Sequence, residues 1–179
     1  MQIHSNNKKR RNYLKDIYPN EISYIKKTPD ELEYRINNSK EQKIKACNFF
    51  ISHSYKDSKV VQKLIEFENN QGNNVFCDWI NDSDYLKRNL LCEATLKVIE
   101  KRLEQSSALI FVKSDYSISS VWCKYELNYF YELKKPIYYI DTADICRGRF
   151  SILLEKSKWF IDDNYKNVAL FEASNVMAN

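Results

Sequence analysis

Short apolar runs of strand length alternate with amphipathic stretches along this chain, and that alternation restricts its fold more than any other feature. The clearest run is 107–113, where Ala108, Leu109, Ile110, Phe111 and Val112 leave no polar position. A strand with one wet face alternates polar and apolar residues, so an unbroken run predicts a strand buried on both faces. Cys47 to Ser52, Asn74 to Asp78 and Pro136 to Ile140 have the same character. Between them, Lys56 to Asn70 carries Val60, Val61, Leu64 and Ile65 at helical spacing and closes near Gly72. Leu86 to Leu103 and Val121 to Leu133 read as two further helices. The C-terminal part reads as a helical turn at Phe150 to Leu154, a short last strand at Lys158 to Ile161 and a closing helix at Asn164 to Met177. Strand–helix alternation at this pace implies an α/β fold, a parallel sheet of about five strands with right-handed crossovers and helices on both faces. In the flavodoxin-like strand order 2-1-3-4-5, ligands bind beyond the carboxyl ends of the strands, between the loops Ser52 to Lys56 and Ser114 to Ser120.

Residues 1–45 differ from this pattern and form a basic, partly helical extension, with 46–179 as the main domain. Thr28-Pro29-Asp30-Glu31 is a capping box with proline at the first helical position, so a helix is expected from Pro29 to Lys43. A weaker helical stretch, Tyr13 to Tyr18, stops at Pro19. The extension is expected to pack on the main domain through Leu32, Ile36 and its tyrosines. It carries the chain's basic excess: residues 1–46 have net charge +5 and the remainder −1, within a total of +4. The run Lys8-Lys9-Arg10-Arg11 reads as a solvated tail, which makes nucleic acid an unexpected partner.

Several function classes drop out. No apolar run approaches about 18 residues, so no membrane span is expected, and the polar N-terminus does not resemble a secretory signal. The two glycines, Gly72 and Gly148, allow neither a dinucleotide-binding fingerprint nor a phosphate-binding P-loop. The five cysteines are widely spaced, which suits free thiols in a reducing cytoplasm. With two histidines and no CxxC pair, no metal site is expected.

Glu126 stands out. In a helix from Val121, Trp122, Glu126, Tyr129 and Leu133 share one face, and Ser119 or Ser120 suits the N-cap. A carboxylate within an apolar stripe is unfavourable unless something pairs with it or uses it. Taken alone, the stretch favours a half-exposed glutamate bonded to a nearby lysine or tyrosine.

The blocks Phe50-Ile51-Ser52-His53-Ser54 with Asp57, Val75-Phe76-Cys77-Asp78, Ser106 to Ser114, and Tyr116 to Leu127 with its WCxxEL core resemble, in order and spacing, a TIR (Toll/interleukin-1 receptor) domain. The resemblance covers about Cys47 to Asp162 and is greatest to bacterial stand-alone TIR proteins of anti-phage systems such as Thoeris. It implies an enzyme that cleaves NAD+, with Glu126 as its catalytic glutamate. The product would be an ADP-ribose-derived messenger for a separate effector protein. It also implies a loop at about Trp79 to Leu86 that shapes the site and mediates self-association. The candidate substrate-contacting residues are then Ser52, His53 and Ser54 after the first strand, Trp79 and Asp82 in the following loop, and Tyr116, Ser120 and Trp122 after the third. NAD+ enters as substrate, and no cofactor is expected.

The residues suit this chemistry. Nicotinamide leaves its pyridinium as a neutral molecule, so the two-carboxylate requirement of ordinary glycosidases relaxes to one. That carboxylate must hold the ribose and stabilise the positive charge at its anomeric carbon. Trp79, Trp122, Tyr85 and Tyr116 are candidates to stack on nicotinamide or adenine. The amides of Ser54 to Lys56 are candidates to receive a phosphate, with Lys56, Lys87 or Arg88. The competing expectation is a non-enzymatic TIR scaffold that recruits partners through the Trp79 to Leu86 loop.

Overall fold

A computed structural model describes residues 47–77 and 93–177. The N-terminal extension, the Trp79 to Leu86 loop, Tyr85, Lys87, Arg88 and Cys92 lie outside the described residues. The strands are β1 (Cys47–Ser52), β2 (Val75–Phe76), β3 (Ser106–Lys113), β4 (Ile137–Asp141) and β5 (Leu153–Leu154). The helices are α1 (Ser58–Asn70), α2 (Glu93–Gln105), α3 (Asp115–Ile118), α4 (Val121–Glu132), α5 (Thr142–Cys146) and α6 (Tyr165–Met177). The sheet order is β2-β1-β3-β4-β5, as expected from the strand–helix alternation.

β3 occupies the centre and pairs in parallel with β1 and β4. Its side chains alternate between two cores. Leu109 and Phe111 point to one side, with Phe50 of β1, Ile99 and Leu103 of α2, and Cys123, Leu127 and Phe130 of α4. Ile110 and Val112 point to the other, with Val61, Leu64 and Ile65 of α1 and Ile145 of α5. Each such side chain, fully buried, contributes about 1.5–3 kcal/mol of transfer free energy. Gly72, at φ +83, ends α1 in a left-handed turn, with the Asn73 amide donating to the Glu68 carbonyl at 3.0 Å.

Two details of the C-terminal third differ from the expectation. β5 lies at Leu153–Leu154, where a helical turn was read, and it runs antiparallel to β4. The reason is length. α5 has five residues and rises about 7.5 Å, whereas a parallel crossover needs a dozen residues or more. The chain therefore stays at the carboxyl end of the sheet and returns antiparallel. The expected last strand, 158–161, forms no strand and contains a turn closed by the Ile161 amide on the Lys158 carbonyl at 3.2 Å. The closing helix is present as α6, which packs on α2 and α4 through Leu96, Tyr125, Tyr165 and Ala169.

Asn128 of α4 secures that turn. Its side-chain amide donates to the Phe160 carbonyl at 2.8 Å, and its oxygen accepts from the Asp162 amide at 2.9 Å. On the outer side of α4, Tyr125 donates to Glu100 and Tyr129 to Glu104. Burial, followed by these bonds and the carboxylate charges, raises both phenols well above the ordinary tyrosine range. Cys47, Cys77 and Cys123 are buried, and Cys146 is exposed. Among the described residues no helix is long and apolar enough to cross a membrane.

Two outcomes are expected. Asn128→Ala leaves the Phe160 carbonyl without its donor and should lower unfolding free energy by about 1–3 kcal/mol in urea titrations. Asn128→Asp, which cannot donate, should be no better. For the phenols, a folded pKa raised above the unfolded value means that stability is complete below about pH 10 and declines as pH rises beyond it. This alkaline decline should be shallower in Tyr125→Phe, as followed by circular dichroism.

Candidate active site

The site lies where β1 and β3 end and α4 begins. Ser52 is the last residue of β1, with Phe111 of β3 as its register partner. Ser120 caps α4, its hydroxyl accepting from the Cys123 amide at 3.3 Å. This cap starts the helix beside the sheet edge and brings Glu126, in the second turn, over Ser52. The Ser52 hydroxyl donates to Glu126 Oε2 at 2.5 Å. Ser52 is fully buried and Glu126 is 4% exposed. The glutamate is therefore not half-exposed: a strand-end serine 74 residues away in sequence holds it. A hydrogen bond to an ionised acceptor contributes about 1.5–3 kcal/mol and is stronger in a buried setting than in water.

His53 follows at the strand end, with Nδ1 3.3 Å from the Ile51 carbonyl. As donor in that contact, Nδ1 carries a proton, and in the neutral imidazole Nε2 is then an acceptor. Nε2 is buried and has no hydrogen-bond partner among the described residues. Ser54 is buried, and its hydroxyl accepts from the Lys56 amide at 3.4 Å. The Ser54 to Lys56 amides expected to receive a phosphate are thus partly occupied by the chain's own cap. The helical turn that they open has three residues and runs directly into α1. Lys56 and Tyr116, expected as separate ligand contacts, pair with each other, the ammonium standing 4.5 Å from the ring centroid.

A link that the sequence does not advertise ties the two loops together. Ser114 donates to the buried carboxylate of Asp57 at 2.6 Å, and it also caps α3 in a reciprocal box with Ser117. Trp122, one turn before Glu126, is half-buried and packs into the clusters that include Tyr125, Tyr165 and Phe130. Ser52, Glu126, His53 and Ser54 are thus brought together, with Ser120 acting as the cap of α4 and Tyr116 against Lys56. Trp79 and Asp82 lie outside the described residues. A second tryptophan, Trp159, stands against Phe111 with ring centroids 5.6 Å apart. The strand reading of 158–161 gave it no place near this end of the sheet.

A family model described as "Thoeris protein ThsB, TIR-like domain" matches residues 50–144, more than half of the chain. The chain belongs to this ThsB TIR-like family. Ser52, His53, Ser54, Tyr116, Ser120, Trp122 and Glu126 all fall within the matched ThsB span, and Trp159 falls beyond it. The chain is 42% identical over 142 residues to a protein of Cytobacillus dafuensis named putative cyclic ADP-D-ribose synthase TIR2, an alignment spanning 79% of this chain and 38% of that protein. It is 30% identical over 95 residues to a protein of Bacillus cereus (strain MSX-D12) named probable 3' cyclic ADP-D-ribose synthase ThsB', spanning 53% of this chain and 49% of that protein. The chain thus covers less than half the length of these two curated relatives.

The Ser52–Glu126 bond lends itself to a double-mutant cycle. Ser52→Ala removes the donor and should lower stability by about 1–3 kcal/mol. The same substitution in a Glu126→Gln background should cost less, with a coupling of about 0.5–3 kcal/mol in denaturant titrations. Strict additivity would show that the two side chains do not interact.

Proposed function

We propose that this protein cleaves the nicotinamide–ribose bond of NAD+ and joins the released anomeric carbon to an acceptor in the same molecule, making a cyclic ADP-ribose-type signal. The observation that carries the reading is the buried Glu126 carboxylate, held by Ser52 at the open, carboxyl end of a parallel sheet. The printed names of the two relatives, both cyclic ADP-D-ribose synthases, support the same reaction class.

In this reaction the bond between the anomeric carbon and the pyridinium nitrogen breaks, and its electron pair leaves with neutral nicotinamide. No general acid is needed for that step. Positive charge develops at the anomeric carbon, and Glu126 offsets it at close range in a site with little water to screen it. Ser52 orients the carboxylate, so Glu126 need not reorganise as the charge grows. The acceptor then forms the new bond to the anomeric carbon, and the proton it loses passes through Glu126 to solvent. Water reaching the anomeric carbon first would yield ADP-ribose, so exclusion of water decides between cyclisation and hydrolysis.

His53 Nε2, an acceptor, suits a ribose hydroxyl, and Tyr116 with Lys56 forms one rim of the crevice. Trp79, Asp82 and the loop to Leu86 complete the site and provide a surface for self-association. The product acts in the cytoplasm on a separate effector protein in anti-phage defence.

Incubating the full chain with NAD+ and identifying products by mass spectrometry tests this reading. Glu126→Gln is nearly isosteric and should reduce turnover by on the order of 10²–10³ or more. Its melting temperature should hold or rise, because a buried charge kept for catalysis is a local defect in packing. Parent-like turnover in the glutamine variant would remove Glu126 from catalysis. No turnover by the parent protein, at any concentration that permits self-association, would favour the scaffold.

A further inference from the structure

The sequence offers Trp79, Trp122, Tyr85 and Tyr116 for ring stacking. Trp122 is committed to the helix layer, and Tyr116 lies beneath Lys56. Trp159 is placed differently. Ser52, Phe111, Tyr139 and Leu153 are register partners across four strands, so their side chains lie on the face of the sheet that α4 covers. Neighbouring strands lie about 4.8 Å apart, so Phe111 sits one strand from the serine that holds Glu126. Trp159 packs over Phe111, tilted by 45°.

The indole is fixed on several sides and open on another. Phe160 meets it at 5.8 Å in an edge-on arrangement, and Asn128 holds the Phe160 carbonyl to α4. The indole N–H donates to Glu155 Oε2 at 3.3 Å. Burial alone would raise the Glu155 pKa, but the Ser157 hydroxyl and amide, the Trp159 indole and the charge of Lys113 together hold it below the ordinary range. Glu155 is thus a carboxylate at neutral pH, and a carboxylate on the indole N–H enriches the ring face with electron density. Even so, 36% of Trp159 remains exposed. Core packing does not call for an immobilised, electron-rich indole with a third of its surface in water. A ligand with a flat cationic ring would use that surface, because an indole face attracts such a ring more strongly than a neutral one.

Resting on the NAD+-cleaving reading above, we infer that Trp159 is a substrate-binding residue whose indole takes the nicotinamide ring of NAD+, with Glu155 as its positioning residue. The pyridinium is held over the indole while its ribose lies against Glu126. On cleavage the ring becomes neutral and loses the cation–π attraction, which assists departure of nicotinamide.

The test compares NAD+ with NADH, whose dihydronicotinamide ring is uncharged. Binding is measured by calorimetry in the Glu126→Gln protein, which lacks both turnover and the cation-favouring carboxylate. That protein should prefer NAD+ over NADH, and adding Trp159→Ala should weaken NAD+ binding about tenfold and remove the preference. Trp159→Phe should retain part of it. Glu155→Gln, which leaves the indole an acceptor but no charge, should reduce it. In the otherwise native protein, Trp159→Ala should raise KM for NAD+ about tenfold with a smaller change in kcat. Equal weakening of both nucleotides would mark a packing role and overturn the inference, as would an unchanged ratio. If Trp159→Ala does not fold, Trp159→Phe and Glu155→Gln decide by the same ratio. A native protein that turns over NAD+ while the ratio is insensitive to Trp159 refutes this inference alone. A native protein that neither binds nor cleaves NAD+ refutes the reading on which it rests.

Discussion

Burial of β3 on both faces is the constraint on which the rest of the structure depends. Leu109, Ile110, Phe111 and Val112 have no wet side, so the strand needs a parallel neighbour on each edge and a helical layer on each face. β1 and β4 meet the first need, and α1 with α5 and α2 with α4 meet the second. Once those partners are in place, the carboxyl ends of β1 and β3 lie side by side. The loops after them then have to share one opening, and α4 has to start at its edge. The crevice is a consequence of the central strand's burial, because a parallel sheet feeds every crossover helix from the same end.

At that opening the structure departs from what stability alone would select. Glu126 is placed with almost no exposure on the inward side of α4. An apolar residue there would avoid the desolvation of a carboxylate. The fold instead supplies Ser52, a small hydroxyl at the end of β1 that donates to one oxygen of the carboxylate. Local conflicts of this kind, where a polar group occupies a core position and is met by a dedicated partner, are where active sites are found.

Two side-chain links hold the surroundings in register. Asp57–Ser114 joins the loop after β1 to the loop after β3 across 57 residues of sequence. Asn128 joins α4 to the turn that carries Trp159 and Phe160. Both use short polar side chains to satisfy backbone or carboxylate groups that would otherwise be buried without partners. Together they allow a shallow site built from loops to keep a defined shape without the glycine-rich turns common in nucleotide-binding folds.

The sequence alone determined the layered architecture, because strand burial and helix amphipathicity are local patterns with fixed periods. The five-strand order and the helices at Ser58–Asn70, Val121–Glu132 and Tyr165–Met177 were readable in this way. Glu126 was readable as an anomaly in a stripe, and Ser120 as its helix cap. The tertiary structure decided what that anomaly touches. Pairing a serine with a glutamate 74 residues on leaves no local signal. Nor does any local pattern reveal that Lys56 rests on Tyr116, or that Ser54 occupies the amide of its own turn. The C-terminal third was misread for a related reason. Apolar residues at Trp159, Phe160 and Ile161 have the composition of a strand, but the short α5 leaves the chain at the carboxyl end of the sheet, where Leu153 and Leu154 reach the edge of β4 first. Composition marks which residues could enter a strand; the length of the preceding connection specifies which of them reach the sheet edge.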